Sequence, residues 1–256
     1  MIVAAIISSL ENIPWILVVM ASFAAAFTLA AGNIINDIFD IEIDKINCPL
    51  RPLPSGKITI KEAYILISVL ILLSLIISFL VSYIAFIIVI VSHLILFLYS
   101  KFLKSIPLVG NISIAFLTGL VFIFGGVVVG NPSAAIVPAI FAFLINLVRE
   151  LVKDIQDIEG DRLSNVVTFP IRYGIKKSRI LALIITLILI LCTLLPFILQ
   201  MYKIEYFLVV MIVVNPILVY CLKILFAEHS PKNLDMTSKL LKLSMIFGLI
   251  AIFLGI

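Results

Sequence analysis

Apolar and polar positions in this chain are gathered into long blocks rather than alternating. Ile13 to Ala31 is almost uninterrupted apolar sequence, and comparable runs recur to the C-terminus. A membrane β-barrel needs strict polar/apolar alternation, which these Leu- and Ile-rich runs lack, so the pattern predicts helices. We place membrane helices over 13–36, 62–82, 84–100, 108–129, 134–153, 179–199, 206–226 and 239–256. Residues 2–10 read as a further, short helix. At ~1.5 Å per residue they are too few to cross ~30 Å of hydrocarbon, so this element is either incomplete at its start or interfacial. The expectation is an all-α polytopic membrane protein of about nine helices, built as a single membrane-embedded domain over residues 1–256.

Composition agrees. Of 256 residues, 64% are hydrophobic and 12% charged, and the mean hydropathy is +1.33. A soluble core of this length does not need so much apolar surface. No charged stretch is long enough to form a separate soluble domain. Neither a nucleic acid nor an obligate protein partner is expected. Cys48, Cys192 and Cys221 are an odd number without metal-type spacing, so they read as packing or spacer residues. His93 lies in an apolar run and His229 in a polar loop, neither with a partner that indicates a metal. With no basic segment before the first apolar residues, no cleavable secretory signal is expected.

The placement of charge adds more than its amount. When loops are assigned to alternate sides, one side receives the links around 37–61, 101–107, 154–179 and 227–239. That side holds every one of the 18 basic residues except Lys203, and every one of the 14 acidic residues except Glu11 and Glu205. The positive-inside rule assigns it to the cytoplasm. The polar chemistry is therefore expected at one membrane face, which favours an enzyme working there over a carrier. A carrier needs acidic groups near helix centres, and His93 is the ionisable residue found mid-span.

Within "GNIINDIFDIEIDKINCPLRPLPSGK", residues 32–57, the aspartates Asp37, Asp40 and Asp44 stand at the end of an apolar run. The stretch "KDIQDIEGDR" from Lys153 repeats their spacing with Asp154, Asp157 and Asp161, each 117 positions later. At the same offset Lys45 faces Arg162, Asn36 faces Lys153 and Asn33 faces Glu150. The chain thus reads as two related halves, about 1–107 and 108–256. On a continuous helix, positions i, i+3 and i+7 share a face, so each triplet would present its carboxylates in one row. Such rows repel unless a cation lies between them, and hard oxygen ligands of this kind suit Mg²⁺ together with substrate phosphate oxygens. Two facing rows could hold two Mg²⁺ ions with a diphosphate between them. Arg51, Lys57, Lys101, Lys104, Arg149, Lys153 and Arg172 fall on the same side as phosphate contacts. The combination describes a site for an amphiphile with a diphosphate head.

At these residues the chain resembles the UbiA-type membrane prenyltransferases. The family's first motif, N-D-x-x-D-x-x-x-D, is met by Asn36, Asp37, Asp40 and Asp44. "DKINCPLRPLPSG" continues it, with Arg51 in the arginine position. Asp154, Asp157 and Asp161, preceded by Lys153, meet the second motif. "LYSKFLKSIPLVGN" resembles the Tyr/Lys stretch, with Tyr99, Lys101 and Lys104, and "VVTFPIRYG" resembles the segment after the second motif. The likeness spans about residues 30–175. It departs at the N-terminus, where members carry a fuller first helix with an Arg-Pro entry.

The resemblance implies nine helices around a central cavity open to the cytoplasm and to lipid. It implies Mg²⁺, two ions, held by the six aspartates and the Asn36 amide oxygen. It also implies an isoprenyl diphosphate donor whose leaving group is neutralised by Arg51, Lys104 and Lys153. An allylic cation would form near Phe39 and Tyr99. The group that takes the proton of the attacking acceptor hydroxyl is left open among a motif carboxylate, a phosphate on the acceptor and the released diphosphate. "RELVKDIQDIEGDR" is closest to archaeal members that alkylate the hydroxyl of geranylgeranylglyceryl phosphate, making the second ether bond of archaeal lipids. Lys57, Lys101, Lys104, Arg149 and Arg172 would then meet an anionic, lipid-like acceptor. Enzymes using homogentisate or quinone precursors have similar wording, so an aromatic acceptor is the alternative.

Overall fold

The computed structural model describes residues 1–9, 13–163, 166–227 and 230–256; Glu11 and His229 lie outside them. The described residues form helices and turns, without a strand among them. The helices are α1 (Ile2–Ser8), α2 (Trp15–Phe39), α3 (Ile41–Asn47), α4 (Ile60–Val81), α5 (Tyr83–Lys101), α6 (Val109–Val128), α7 (Ile136–Gln156), α8 (Ile158–Leu163), α9 (Phe169–Tyr173), α10 (Ile175–Ile198), α11 (Ile204–Val209), α12 (Asn215–Phe226) and α13 (Pro231–Gly255).

Among the described residues, seven helical stretches are long and apolar enough to cross a membrane. The sequence led us to expect eight. The remaining one, α7, has the length, at 21 residues, but Arg149, Glu150 and Lys153 interrupt its last turns. The expected span 206–226 is one stretch, Ile204–Phe226, yet it passes through a π turn at Val210–Val214. Pro216 accounts for this. It has no N–H to donate and its ring crowds the carbonyl four residues back, so the preceding turn widens. The last helix begins well before the expected residue 239, because the Ser230 side chain caps it by accepting from the Asn233 N–H.

The chain divides into two compact units. One comprises Met1–Lys104 with Leu120–Ala134; the other comprises Ser105–Gly119 with Ala135–Ile256. In the first unit α2 packs on α4 and α5. Its buried face is made of small residues, including Ala21, Ala24, Thr28, Ala31 and Gly32, which let helix backbones approach closely. At Gly32 a Cβ would lie 2.7 Å from a Leu96 methyl of α5. The short α1 packs in the same way: a Cβ on Gly125 would meet that of Ala4 at 2.5 Å. Thr59 and Glu62 form a reciprocal capping box that starts α4 immediately after the polar 48–58 segment.

In the second unit α7 packs against α10 and α13. Leu151, Val152 and Ile155 of α7 join Ala182, Leu189, Leu218 and Leu241 in its core. At Gly119 of α6 a Cβ would lie 2.8 Å from the Ala139 carbonyl oxygen of α7. Many outward-facing side chains of the spanning helices are apolar. Only 17% of the α4 span is buried within the protein, and Ile16, Phe79 and Ile212 point outward. A surface of that kind is solvated by lipid tails.

Candidate active site

The two aspartate triplets have the same local build. The α2 helix stops at Phe39, and Asp40 takes φ −97° and ψ 4° before α3 begins at Ile41. The α7 helix stops at Gln156, and Asp157 takes φ −99° and ψ 12° before α8 begins at Ile158. The expected uninterrupted rows are therefore broken, each at its middle aspartate. Bonds of helical spacing flank the break: the Asp40 N–H donates to the Asn36 carbonyl and the Asp44 N–H to that of Asp40. The Asp157 N–H likewise donates to Lys153 and the Asp161 N–H to Asp157. The break re-aims the third carboxylate without separating it from the first two. The corresponding ψ values, near 0° rather than the helical −42°, lie in the sparsely occupied bridge region.

Cations fill the first triplet. The Arg51 guanidinium donates to Asp44 Oδ2 at 2.6 Å and stands 3.5 Å from Asp37 Oδ1. Turns over 48–58 fold Arg51 back: its N–H donates to the Cys48 carbonyl, and the Ser55 N–H donates to the Arg51 carbonyl. The Lys104 ammonium pairs with Asp40 Oδ1, and the Asn36 amide donates to Asp40 Oδ2 at 2.9 Å. Asp44 is buried, and Arg51 is its ion-pair partner.

The second triplet is built differently. Asn111 of α6 donates to Asp154 Oδ2 at 2.9 Å, and within this unit no ion pair reaches Asp154, Asp157 or Asp161 among the described residues. The nearby cations pair with Glu150, although the charge of Lys153 also acts on Asp154 and Asp161. Arg149 donates to Glu150 at 2.9 Å and to the Asn146 oxygen at 3.3 Å, and Lys153 stands 3.7 Å from Glu150. Asp154 lies one residue beyond the expected span 134–153. Burial, together with the charges of Asp161 and Glu150, raises its carboxyl to about 7 against the Asn111 hydrogen bond. Burial and the neighbouring Asp157 raise Asp161 to about 6.

Other expected substrate residues lie beside aromatic rings or on a turn. Lys101 lies over the Phe97 and Phe102 rings, at 5.8 and 4.9 Å. Arg172 lies 5.5 Å from the Tyr173 ring, and Lys57 is exposed on the turn before α4. Tyr99 belongs to α5 and Phe39 meets Phe97 edge-on at 6.1 Å. His93, mid-span in α5, shares a 2.8 Å hydrogen bond with Ser74, a structural pairing.

Asn111, Asn146 and Glu150 escaped the sequence reading as functional residues. Two are asparagines inside apolar runs, which is the signal that could have found them, since an unpaired amide in lipid is costly.

Among the described residues no three acidic, His or Cys side chains converge into a metal cage. The expected ligand set shares the ion with substrate, since Mg²⁺ takes one or two carboxylates and completes its shell with water and phosphate oxygens. The donors on offer are hard oxygens, so the residues fit such an ion.

This architecture defines a class: a helical membrane protein with paired carboxylate clusters at helix ends. Residues 1–246 match the UbiA prenyltransferase family, and the chain belongs to it. It is 40% identical to the digeranylgeranylglyceryl phosphate synthase of Methanobrevibacter smithii, over 99% of this chain and 91% of that protein. A solved structure of digeranylgeranylglyceryl phosphate synthase superposes with a TM-score of 0.83 at 38% identity, covering 99% of this chain and 90% of that one. A UbiA homologue from Archaeoglobus fulgidus, bound to GPP and Mg²⁺, shares the fold with a TM-score of 0.67 at 17% identity. That match covers 98% of this chain and 93% of the homologue.

Proposed function

We propose that the chain transfers a geranylgeranyl group from geranylgeranyl diphosphate to the hydroxyl of geranylgeranylglyceryl phosphate, releasing diphosphate at the cytoplasmic face of the cell membrane. The duplicated triplet, with its identical break at Asp40 and Asp157, carries the reading, and it also supports descent of the two halves from one unit. The acceptor assignment rests on the 40% identity to a named synthase of that product.

In this reading Asp37, Asp40, Asp44, Asp154, Asp157, Asp161 and the Asn36 oxygen hold two Mg²⁺ ions. When bound, these supply Lewis-acid stabilisation of the charge on the leaving diphosphate. Arg51, Lys104 and Lys153 bind the diphosphate oxygens and hold them in one orientation. The C1–O bond breaks with its electron pair departing on diphosphate. The acceptor oxygen forms the new bond to C1, and its proton passes to a motif carboxylate, the acceptor phosphate or the diphosphate. Apolar helices keep water from the allylic cation. Tyr99, Lys57, Lys101, Arg149 and Arg172 serve as further substrate contacts.

An acceptor panel tests this. Purified protein is given geranylgeranyl diphosphate, Mg²⁺ and, in turn, geranylgeranylglyceryl phosphate, hydroxybenzoate, homogentisate and naphthoate. Transfer to the lipid phosphate alone is expected, abolished by EDTA and by Asp40→Ala or Asp157→Ala in folded protein. Preferential transfer to an aromatic acceptor would replace the lipid reading. Full activity in either variant would sink the two-cluster model.

A further inference from the structure

The two carboxylate triplets are unequal in charge, although their backbones match. Asp37, Asp40 and Asp44 share two fixed cations, Arg51 and Lys104. With all three carboxylates ionised, the first cluster retains one net negative charge. In the second unit Glu150 takes both Arg149 and Lys153, and Asn111 offers Asp154 a neutral hydrogen bond. With Glu150, Arg149 and Lys153 counted, the second group, fully ionised, faces an incoming cation with two net negative charges against one. Coulomb attraction follows that difference directly.

We propose that the two clusters load in a fixed order: the Asp154, Asp157 and Asp161 cluster takes its divalent ion in the substrate-free protein. The Asp37, Asp40 and Asp44 cluster takes one only when a diphosphate draws Arg51 and Lys104 off the carboxylates. This rests on the metal roles given above and adds their sequence. In it Glu150 is a positioning residue. By pairing with Arg149 and Lys153 it keeps either from closing an ion pair on the second cluster, leaving those carboxylate oxygens open to metal. Arg51 and Lys104 are exchange groups, neutralising carboxylate before substrate arrives and diphosphate afterwards. No buried carboxylate is left uncompensated in either state, which matters most for Asp44. The donor's head group thus carries the trigger for the second ion.

The order is read by metal binding rather than turnover. Mn²⁺ is titrated into detergent-purified protein at pH 8 and free ion is followed by EPR, with and without inorganic diphosphate. One tight ion per chain is expected without diphosphate and two with it. Asp157→Asn should weaken the first ion by about tenfold or more, while Asp40→Asn leaves it within about twofold. Lys104→Gln should admit a second ion without diphosphate, and Glu150→Gln should weaken the first. Two tight ions in the substrate-free wild type, none, or equal loss in the Asp157 and Asp40 variants would each overturn the order. The wild-type stoichiometry decides the matter even if a variant fails to fold. The acceptor panel is scored separately, so transfer can succeed where the loading order fails.

Discussion

Asp154 and Asp161 are held protonated at pH values where an exposed aspartate has long ionised. Their raised values have a stability consequence of definite sign. The folded state keeps protons that the unfolded chain releases near 3.8, so without metal, stability is greatest below that pH on their account. It declines as pH rises through about 6 for Asp161 and about 7 for Asp154. A divalent ion reverses the trend, because it favours the ionised form. Thermal unfolding between pH 5 and 8 should therefore show the Mg²⁺-induced rise in Tm growing with pH and levelling above about 7. Calorimetry in buffers of different ionisation enthalpy should show proton release on Mg²⁺ binding at pH 6 and little at pH 8. A Tm increment independent of pH would mean that these two carboxylates do not meet the ion. The chain's sequence made all six aspartates visible through their spacing. It hid the inequality of the triplets, because Glu150, Asn111 and the turn that returns Arg51 act through contacts rather than through any motif.

The helices themselves were largely legible, because long Leu/Ile runs leave few alternatives in lipid. The breaks at Asp40 and Asp157 were not. Neither "NDIFDIEID" nor "KDIQDIEGD" places a Gly or Pro at the break, and their 3.6-residue period runs straight through it. The close approach of α6 and α7 was equally hidden, since Gly119 is one glycine among 11. Structure distinguishes them. A Cβ at Gly119 would press on a backbone carbonyl at 2.8 Å, whereas one at Gly248 of α13 meets nothing within 4 Å. Gly119→Ala should accordingly destabilise by about 1–3 kcal/mol through overpacking. Gly248→Ala should be neutral or stabilise by up to about 1 kcal/mol through helix propensity. Thermal unfolding of both variants in one detergent measures the contrast. Equal behaviour would deny the tight α6–α7 contact.

At the scale of the whole molecule, the division of charge between loops is the strongest information in the sequence, and it concerns orientation. All the triplet carboxylates and every basic residue except Lys203 fall in or beside links assigned to one side. Positive charge in short loops resists translocation, and on that rule we propose that this side is cytoplasmic. The native cysteines make a direct test. Cys48 lies partly exposed in the polar segment between α3 and α4, three residues before Arg51. Cys192 lies partly exposed within the apolar α10, and Cys221 is buried in α12. A membrane-impermeant maleimide should label the protein in inside-out vesicles and spare it in right-side-out ones, and Cys48→Ser should remove the signal. Because Cys48 stands on the turn that positions Arg51, Mg²⁺ with inorganic diphosphate should slow the labelling by reordering that turn. Labelling from the outer side would invert the topology and place the diphosphate chemistry away from the cytoplasmic face.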